Sequence, residues 1–228
     1  GLEREILLSI IDENYTLAIH YIEEILSKFP SFDYLLNMLG LCYVFAGDYI
    51  NARKVFHRLI ELDPKNVLYL SHLGLVNYKS EDYASAEVNL VNALQLNPVD
   101  IYCPLLLADV YIKQKRLPRA VNTLETRILA DGKIDDNDLP FLIKLLSVYF
   151  FMRDTTEFEA TLGTVKLMVQ NAEDEKKKNV ALEISSLAMA LYSIEDFEDA
   201  IQIANHALSI AEHPLIKSFG ERGEVVKD

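Results

Sequence analysis

The residue types that bind metals or catalyse reactions are scattered along this chain. None of its five histidines has a second histidine or a cysteine at the spacing that a metal site requires: His20, His57, His72, His206 and His213. No glycine-rich loop that would cradle a phosphate occurs either. We therefore predict no catalytic residues, no metal site and no cofactor, and we expect that the chain is not an enzyme.

Pairs of carboxylates, the usual groups of acid–base catalysis, are frequent in the sequence. Glu81-Asp82 and Glu195-Asp196 each stand directly before a stretch with the apolar pattern of a helix. Negative charge at such a place is stabilised by the positive end of the helix dipole. These pairs are therefore interpreted as charges at helix starts rather than as an acid and a base.

The two cysteines, Cys42 and Cys103, are 61 residues apart and cannot form a disulfide framework. In an array where each repeat contacts only its neighbours, that separation disfavours a disulfide between them. We expect two free thiols, buried or half-buried. Free thiols fit a reducing compartment, so the predicted location is cytoplasmic.

Charge and the length of the apolar runs exclude two classes of partner, nucleic acid and membrane. The net charge is −13 and the isoelectric point is near 4.8, so the phosphates of nucleic acid are repelled. The basic run 176–178 directly follows three acidic residues and is predicted to be a solvated loop. No uncharged apolar run reaches about 18 residues, the minimum for a membrane span, so no membrane partner is expected.

Any functional site on this chain must be positioned by structural elements that recur along the sequence. Pro30, Pro64 and Pro98 stand 34 residues apart, and Ala18, Ala52, Ala86 and Ala120 recur at the same interval. A period of this length with apolar places in phase is typical of stacked helix–turn–helix units. No single pair of helices can bury its apolar face, so each must pack on the next.

Two units carry the marks of a known family. Residues 33–66 contain Leu36, Leu39-Gly40, Tyr43, Tyr49, Ala52, Phe56 and Pro64, and residues 67–100 contain Leu70, Leu73-Gly74, Tyr83, Ala86, Leu90, Ala93 and Pro98. Both resemble tetratricopeptide repeats. The glycines and alanines let the two helices of a unit approach closely, and each proline ends the second helix.

The resemblance implies an all-α fold, a right-handed α-solenoid of about six helix–turn–helix repeats in a single domain, 1–228. The predicted repeats are 1–32, 33–66, 67–100, 101–134, an irregular unit at 135–180, and 181–214. Loops at 131–138 and 171–179 are expected to hold the extra length of the irregular unit. A capping helix at 215–228 brings the expected total to about 13 helices. The clipped first unit predicts an excerpt from a longer chain.

In this family the first helix of each repeat lines a concave groove. The family's groove places, carried onto this sequence, give twelve predicted partner-binding residues: Tyr34, Asn37, Met38, Leu41, Phe45, His72, Leu75, Tyr78, Tyr102, Leu105, Leu106 and Asp109. Most of these side chains are apolar or aromatic. They favour an apolar peptide or an amphipathic helix as partner, although some of them are also suited to packing between adjacent helices.

Heat-shock co-chaperones of this family use lysine and asparagine at the same places to bind an acidic carboxyl terminus. Here only Asn37 fits that pattern, while Met38, Leu41 and Ser71 replace the others. The sequence therefore predicts that a clamp for an acidic terminus is absent.

The predicted function is a protein–protein interaction scaffold, and three alternatives stay open. The first is a homo-oligomerising module, with residues 215–219 of one copy inserted in the groove of another. The second is the substrate-selecting region of an enzyme whose catalytic domain lies outside this sequence. The third is a chaperone similar in architecture to the class II chaperones of type III secretion.

Overall fold

The computed structural model describes residues 2–130, 132–193 and 197–211. These residues form twelve α-helices and one 3-10 turn and contain no β-strand, which confirms the all-α prediction. The helices are α1 (Leu2–Ile11), α2 (Tyr15–Leu26), α3 (Asp33–Phe45), α4 (Tyr49–Leu62), α5 (Val67–Lys79), α6 (Tyr83–Leu96), α7 (Tyr102–Lys113), α8 (Leu117–Ile128), α9 (Leu139–Met152), α10 (Thr155–Val169), α11 (Asp174–Ser193) and α12 (Phe197–Leu208). The predicted closing helix lies outside the described residues.

The chain divides into two compact units, Gly1–Arg116 and Leu117–Asp228. In the first unit every helix from α1 to α7 contacts the next, and α5 also contacts both α3 and α7. The first helices of successive pairs therefore lie side by side, as in an α-solenoid. In the second unit α8 contacts α9, α9 contacts α10, and α11 contacts α12. The assignment of residues 1–228 to a single domain remains a prediction.

Close helix approach within a pair depends on glycine. A Cβ atom at Gly40 would lie 2.6 Å from the ring of Phe56, and one at Gly74 would lie 2.7 Å from Cγ of Leu90. Phe56 and Leu90 are both fully buried, so neither side chain has space to retreat. The sequence assigned this role to both glycines.

Side-chain caps begin several second helices of the pairs. Asn14, Asp48 and Asp82 each accept a hydrogen bond from a backbone N–H three residues later, and Asp154 does so before α10. Hydrogen bonds from Ser85 are the largest cause that lowers the pKa of Asp82. The interpretation of Glu81-Asp82 as a helix start is thereby supported. Glu195 and Asp196 lie outside the described residues.

A polar contact also joins one helix pair to the next. Tyrosines on α3, α7 and α9 donate hydrogen bonds to glutamates on the preceding helices: Tyr43 to Glu23 at 2.6 Å, Tyr111 to Glu87 at 3.2 Å and Tyr149 to Glu125 at 2.8 Å. On α5 the corresponding place holds Asn77, whose Oδ1 accepts from Nε of Arg53 at 3.1 Å. These contacts fix the register between neighbouring pairs.

The irregular region differs from its prediction in one place. Its first extra segment does lie before α9, where Asp136–Asp138 forms the 3-10 turn. The predicted loop at 171–179 is confirmed only for residues 171–173, and the solvated basic loop at 176–178 is wrong, because α11 begins at Asp174 and is 20 residues long. Asp174 and Glu175 suit a first helical turn, and lysine is a good helix former. Lys176 also pairs with Asp136 across 2.7 Å.

Both cysteines are free and buried, as predicted. Burial raises the pKa of Cys42 to about 11 and, with a smaller contribution from Asp100, that of Cys103 to about 12. Both sulfurs are therefore neutral thiols at physiological pH. Neither is suited to act as a nucleophile.

One residue with left-handed backbone geometry recurs after the first helix of a pair. Four such residues stand 34 positions apart and a fifth follows α9: Glu13 with φ 56°, Gly47 with φ 79°, Glu81 with φ 63°, Lys115 with φ 58° and Arg153 with φ 58°. Only glycine adopts this geometry without a steric cost. Four of the five turns therefore carry strain that the turn at Gly47 lacks.

We expect Glu81→Gly to stabilise the protein by about 0.5–1 kcal/mol, because relief of the strain outweighs the entropy that glycine loses on folding. Gly47→Ala should destabilise it by about 1 kcal/mol. A Cβ at Gly47 would meet no atom within 4 Å, so the cost there is in the backbone alone. Urea unfolding measures both variants, and a loss of stability in Glu81→Gly would contradict the expectation.

Candidate functional site: an apolar groove on α3, α5 and α7

A groove of about 560 Å³ lies across α3, α5 and α7, all within the first unit. We call it the α3–α5–α7 groove. It joins five of the twelve predicted residues to five others; its lining is Leu41, Phe45, Val67, Leu68, Ser71, His72, Leu75, Asn97, Asp100 and Tyr102. Three first helices of successive pairs thus contribute to one surface, as the family resemblance implies.

The exposed part of the groove is apolar. Phe45, Leu68 and Tyr102 are all exposed large side chains, and Leu41 and Leu75 are half-buried. Phe45 also stacks on Tyr15 of α2, with ring centroids 5.4 Å apart and planes inclined by 24°. That stacking holds one wall of the groove in a defined position before any partner arrives.

Most of the polar groups in the lining already have partners within the protein. The Ser71 hydroxyl donates to the carbonyl of Leu68 at 2.8 Å. Oδ1 of Asp100 accepts from the backbone N–H of Cys103 at 2.6 Å. A partner in the groove is therefore not needed to satisfy these groups, and its apolar contacts must supply most of the affinity.

His72 is the titratable ring of the groove. Its Nδ1 lies 2.9 Å from Oδ1 of Asn37, and its ring centroid lies 5.4 Å from that of Phe56. Burial lowers the pKa of His72 to about 4, so the ring is neutral at physiological pH and donates from Nδ1 to the Asn37 amide. Asn37 thus orients the His72 ring through this hydrogen bond and is not part of the groove lining.

The lowered pKa of His72 makes folding depend on pH. The folded state holds the ring neutral down to about pH 4, whereas the unfolded ring gains a proton near pH 6.5. The stabilisation is complete above about pH 6.5 and is lost as the pH falls from there towards 4. Because the ring keeps some contact with water, we expect the loss to be about 1–2 kcal/mol.

His72→Gln keeps a donor for Asn37 and removes the titration. The difference in unfolding free energy between the wild type and this variant should therefore shrink as the pH falls below about 6.5. Urea unfolding at a series of pH values measures it. Parallel pH profiles for the two proteins would contradict a neutral, buried His72.

Two predicted residues lie in a different depression. Tyr34 and Met38 line a pocket of about 260 Å³ that α1 and α2 help to form, with Ile6, Leu7 and Ile25 opposite them. The predicted surface is therefore not one continuous site. Family places specify which residues face outward, but the packing of α1 places these two in a separate pocket.

The remaining predicted residues, on α5 and α7, lie beyond the groove lining. Tyr78 packs beside Tyr83, with ring centroids 5.9 Å apart. Burial raises the pKa values of Tyr78 and Tyr102, and the charge of Asp109 raises both further. Leu105 is half-buried.

Leu106 is only 7% exposed and belongs to the core of the unit. Its place in the predicted binding set is corrected accordingly, since a buried side chain offers a partner almost no surface. Leu106 is next to the half-buried Leu105 in the sequence, but the turn of helix α7 directs its side chain into the core.

Sequence reasoning left five lining residues out of its predicted binding set. Leu68 and Ser71 hold family groove places, while Val67, Asn97 and Asp100 lie at the start of α5 and in the loop before α7. Family places cover first helices alone, so they carry no signal for the loop residues. The recurring 34-residue period does place that loop beside the next first helix.

Other types of site find no support in the described part of the chain. No group of three or more histidine, cysteine, aspartate or glutamate residues there is arranged to hold a metal ion. No helix within the same residues has the length and apolar character needed to cross a membrane. The α3–α5–α7 groove is therefore the candidate site that we develop.

Two stretches of the sequence match models of the tetratricopeptide repeat, residues 33–66 and residues 78–139. Together they include α3 and α4 and extend from the end of α5 through α8. No curated protein matches the sequence.

Solved structures with the same architecture share little sequence with this chain. MamA from Desulfovibrio magneticus RS-1 has a TM-score of 0.62 and 17% identity over 75% of this chain and 95% of its own. The tetratricopeptide protein TTC0263 of Thermus thermophilus has a TM-score of 0.56 and 18% identity, over 85% of this chain and 99% of its own. A chain of the Cut9–Hcn1 hetero-tetramer of the APC/C has a TM-score of 0.60 and 16% identity, over 94% of this chain and 41% of its own length. At these identities the likeness shows the fold.

Proposed function

We propose that this chain, a tetratricopeptide-repeat protein, is a non-enzymatic scaffold that holds a largely apolar segment of a partner protein in the α3–α5–α7 groove. One observation carries the proposal. The exposed side chains of the groove, Phe45, Leu68 and Tyr102, are apolar or aromatic, while Ser71, His72 and Asp100 are engaged within the protein.

The charge of the groove favours an apolar segment over an acidic one. Its lining contains no lysine or arginine, His72 is neutral, and Asp100 contributes a carboxylate. An acidic terminus in this groove would lose hydration and meet no compensating positive charge. A segment with apolar side chains at helical spacing, laid across α3, α5 and α7, would instead bury them against the exposed leucine and aromatic surfaces.

The architecture also supports a role in assemblies. The Cut9 chain, which has a similar fold, was solved as a hetero-tetramer with Hcn1. For the present protein we propose a protein partner in the groove and a cytoplasmic location, the latter on the basis of its two buried free thiols.

Selection from a peptide-display library on the immobilised protein tests the proposed function. We expect the selected peptides to share aromatic or aliphatic residues at spacings of three and four, with no requirement for acidic residues. The whole protein, residues 1–228, is used. Selection of peptides dominated by acidic residues, or of no consensus at all, would contradict the proposal.

A further inference from the structure

His72 carries an unpaired acceptor in the α3–α5–α7 groove. Its hydrogen bond to Asn37 uses only one ring nitrogen: Oδ1 of Asn37 accepts, so the proton of the neutral ring sits on Nδ1 and Nε2 is left as an acceptor. Nε2 makes no hydrogen bond in the part of the chain that the structure describes. Buried polar atoms without a partner occur there only on Arg127 and Asp138, so Nε2 is in contact with water.

Two contacts hold the His72 ring in one orientation. Nδ1 lies 2.9 Å from Oδ1 of Asn37, and the ring packs on that of Phe56, with centroids 5.4 Å apart and planes inclined by 57°. Phe56 is fully buried and therefore fixed. Since Asn37 lies outside the lining and His72 lies within it, Nε2 is the ring nitrogen that a partner in the groove meets. A donor that binds this nitrogen has little motion to arrest.

The surroundings of this acceptor are apolar. Leu68, His72 and Leu75 follow the i, i+4, i+7 spacing of one face of α5, and Leu41 of α3 also belongs to the lining. A partner side chain that is wholly apolar would displace the water from Nε2 and return no hydrogen bond. An acceptor buried in this way weakens binding by about tenfold or more. The groove therefore favours a partner that brings a hydrogen-bond donor to His72.

One natural side chain combines such a donor with an apolar body and brings no acceptor. Lysine and arginine donate, but their charge would lose its hydration in an apolar groove. A hydroxyl or a carboxamide adds an acceptor oxygen, and the hydroxyl of Ser71, next to His72 in the sequence, already donates to the carbonyl of Leu68. The indole of tryptophan carries a single N–H on a large apolar ring. Its chemistry matches both Nε2 and the apolar lining.

The size and the walls of the groove also suit an indole. The groove volume of about 560 Å³ lies within the usual range for sites that enclose a large organic group. Phe45 and Tyr102 contribute exposed aromatic rings to the lining, and aromatic pairs gain stability from offset or edge-on contact. Tryptophan is also among the residues that most often anchor protein interfaces.

We propose that the partner segment places a tryptophan in the α3–α5–α7 groove and that its indole N–H donates to Nε2 of His72. The inference rests on the proposed function and narrows it from apolar segments in general to those with tryptophan at one position. The leucines of the lining then contact the ring, and His72 is the residue that discriminates tryptophan from phenylalanine or leucine.

Replacement of one ring atom in the partner tests this hydrogen bond. The probe is a peptide from the library selection described above, and we expect tryptophan to recur at one position of the selected consensus. Benzothienylalanine in its place keeps the shape of tryptophan but has sulfur where the indole has its N–H. The analogue should bind the wild-type protein about tenfold more weakly, as measured by calorimetric titration.

His72→Leu removes the acceptor and completes a double-mutant cycle. Without Nε2 the donor gains nothing, so this variant should bind the peptide and its analogue with affinities within about twofold of each other. His57→Leu is the matched control, because His57 is exposed on α4 and lies outside the groove lining. The control should keep the full preference for tryptophan. Thermal unfolding checks that both variants are folded.

Nitrogen NMR of isotope-labelled histidine side chains adds a readout of the acceptor itself. The signals that are absent from His72→Leu identify the His72 ring in the wild-type spectrum. We expect its proton on Nδ1, and addition of the peptide should shift the Nε2 signal, because a new hydrogen bond forms there.

Equal affinities of the peptide and its analogue for the wild-type protein would overturn the inference. So would a preference that persists in folded His72→Leu, or a proton on Nε2 of His72. A consensus of apolar residues without tryptophan would overturn it as well, while leaving the proposed function intact. The absence of any consensus would contradict the proposed function itself, on which the inference rests.

Discussion

Leu68→Glu is expected to reduce the affinity for an apolar peptide at least about a hundredfold, equivalent to roughly 3 kcal/mol. Leu68 lies at the start of α5 and lines the groove together with Phe45 and Tyr102. An apolar partner would cover a carboxylate there without offering it a positive charge or a hydrogen bond, and the cost of that burial falls on the complex alone. Fluorescence titration with a library-selected peptide measures the loss.

The free protein should tolerate this change. Leu68 is 50% exposed, so in the absence of a partner the introduced glutamate projects into water. Ile50→Glu provides a matched control, because Ile50 is 70% exposed on α4 and lies outside the groove lining. The control should bind as the wild type does. Unfolding of Leu68→Glu, or equal losses of binding in both variants, would show that position 68 is not part of a binding surface.

Gly40→Ala and Gly74→Ala should each destabilise the protein by about 2 kcal/mol, although alanine is the better helix former. The added methyl group would lie within 3 Å of the Phe56 ring or of Leu90, both fully buried. Overpacking of this kind costs about 1–3 kcal/mol or more, and the gain in helix propensity, about 1 kcal/mol, only partly offsets it. Thermal and urea unfolding both report the change.

Gly163→Ala is the control for this pair of substitutions. Gly163 lies within α10, and a Cβ atom there would meet nothing within 4 Å. The same change should therefore stabilise the protein at this position, by up to about 1 kcal/mol. Stabilisation by all three alanines would contradict the close helix approach at Gly40 and Gly74. The substitution of a smaller residue for Leu90 should restore part of the stability of Gly74→Ala.

Periodic features were the ones that the sequence predicted well. The 34-residue interval of prolines and alanines predicts stacked helical pairs, and the described residues form twelve α-helices with the glycine contacts in the expected places. The start of α11 was missed because its first turn is rich in charge. In the helix, Asp174 and Glu175 interact favourably with the helix dipole, and Lys176 forms an ion pair with Asp136.

The lining of the α3–α5–α7 groove was predicted only in part, because the rest of it depends on how the helices pack in three dimensions. Family places identify Leu41, His72 and Tyr102 as groove residues, because these depend on helix phase alone. They do not show that Tyr34 faces α1 in a second pocket, nor that Leu106 is buried, because both depend on how neighbouring helices tilt and pack. The left-handed turns were also missed, since charged residues at most of these positions give no sign of the backbone geometry.

Calorimetric titration of a library-selected peptide into the wild-type protein tests the central claim most directly, namely that the α3–α5–α7 groove recognises apolar surface. Titrations at about 50 and 500 mM salt and at several temperatures give the salt dependence and the heat-capacity change of binding. The account predicts a clearly negative heat-capacity change and an affinity that varies less than about threefold with salt. A heat-capacity change near zero together with a steep fall of affinity in high salt would contradict it.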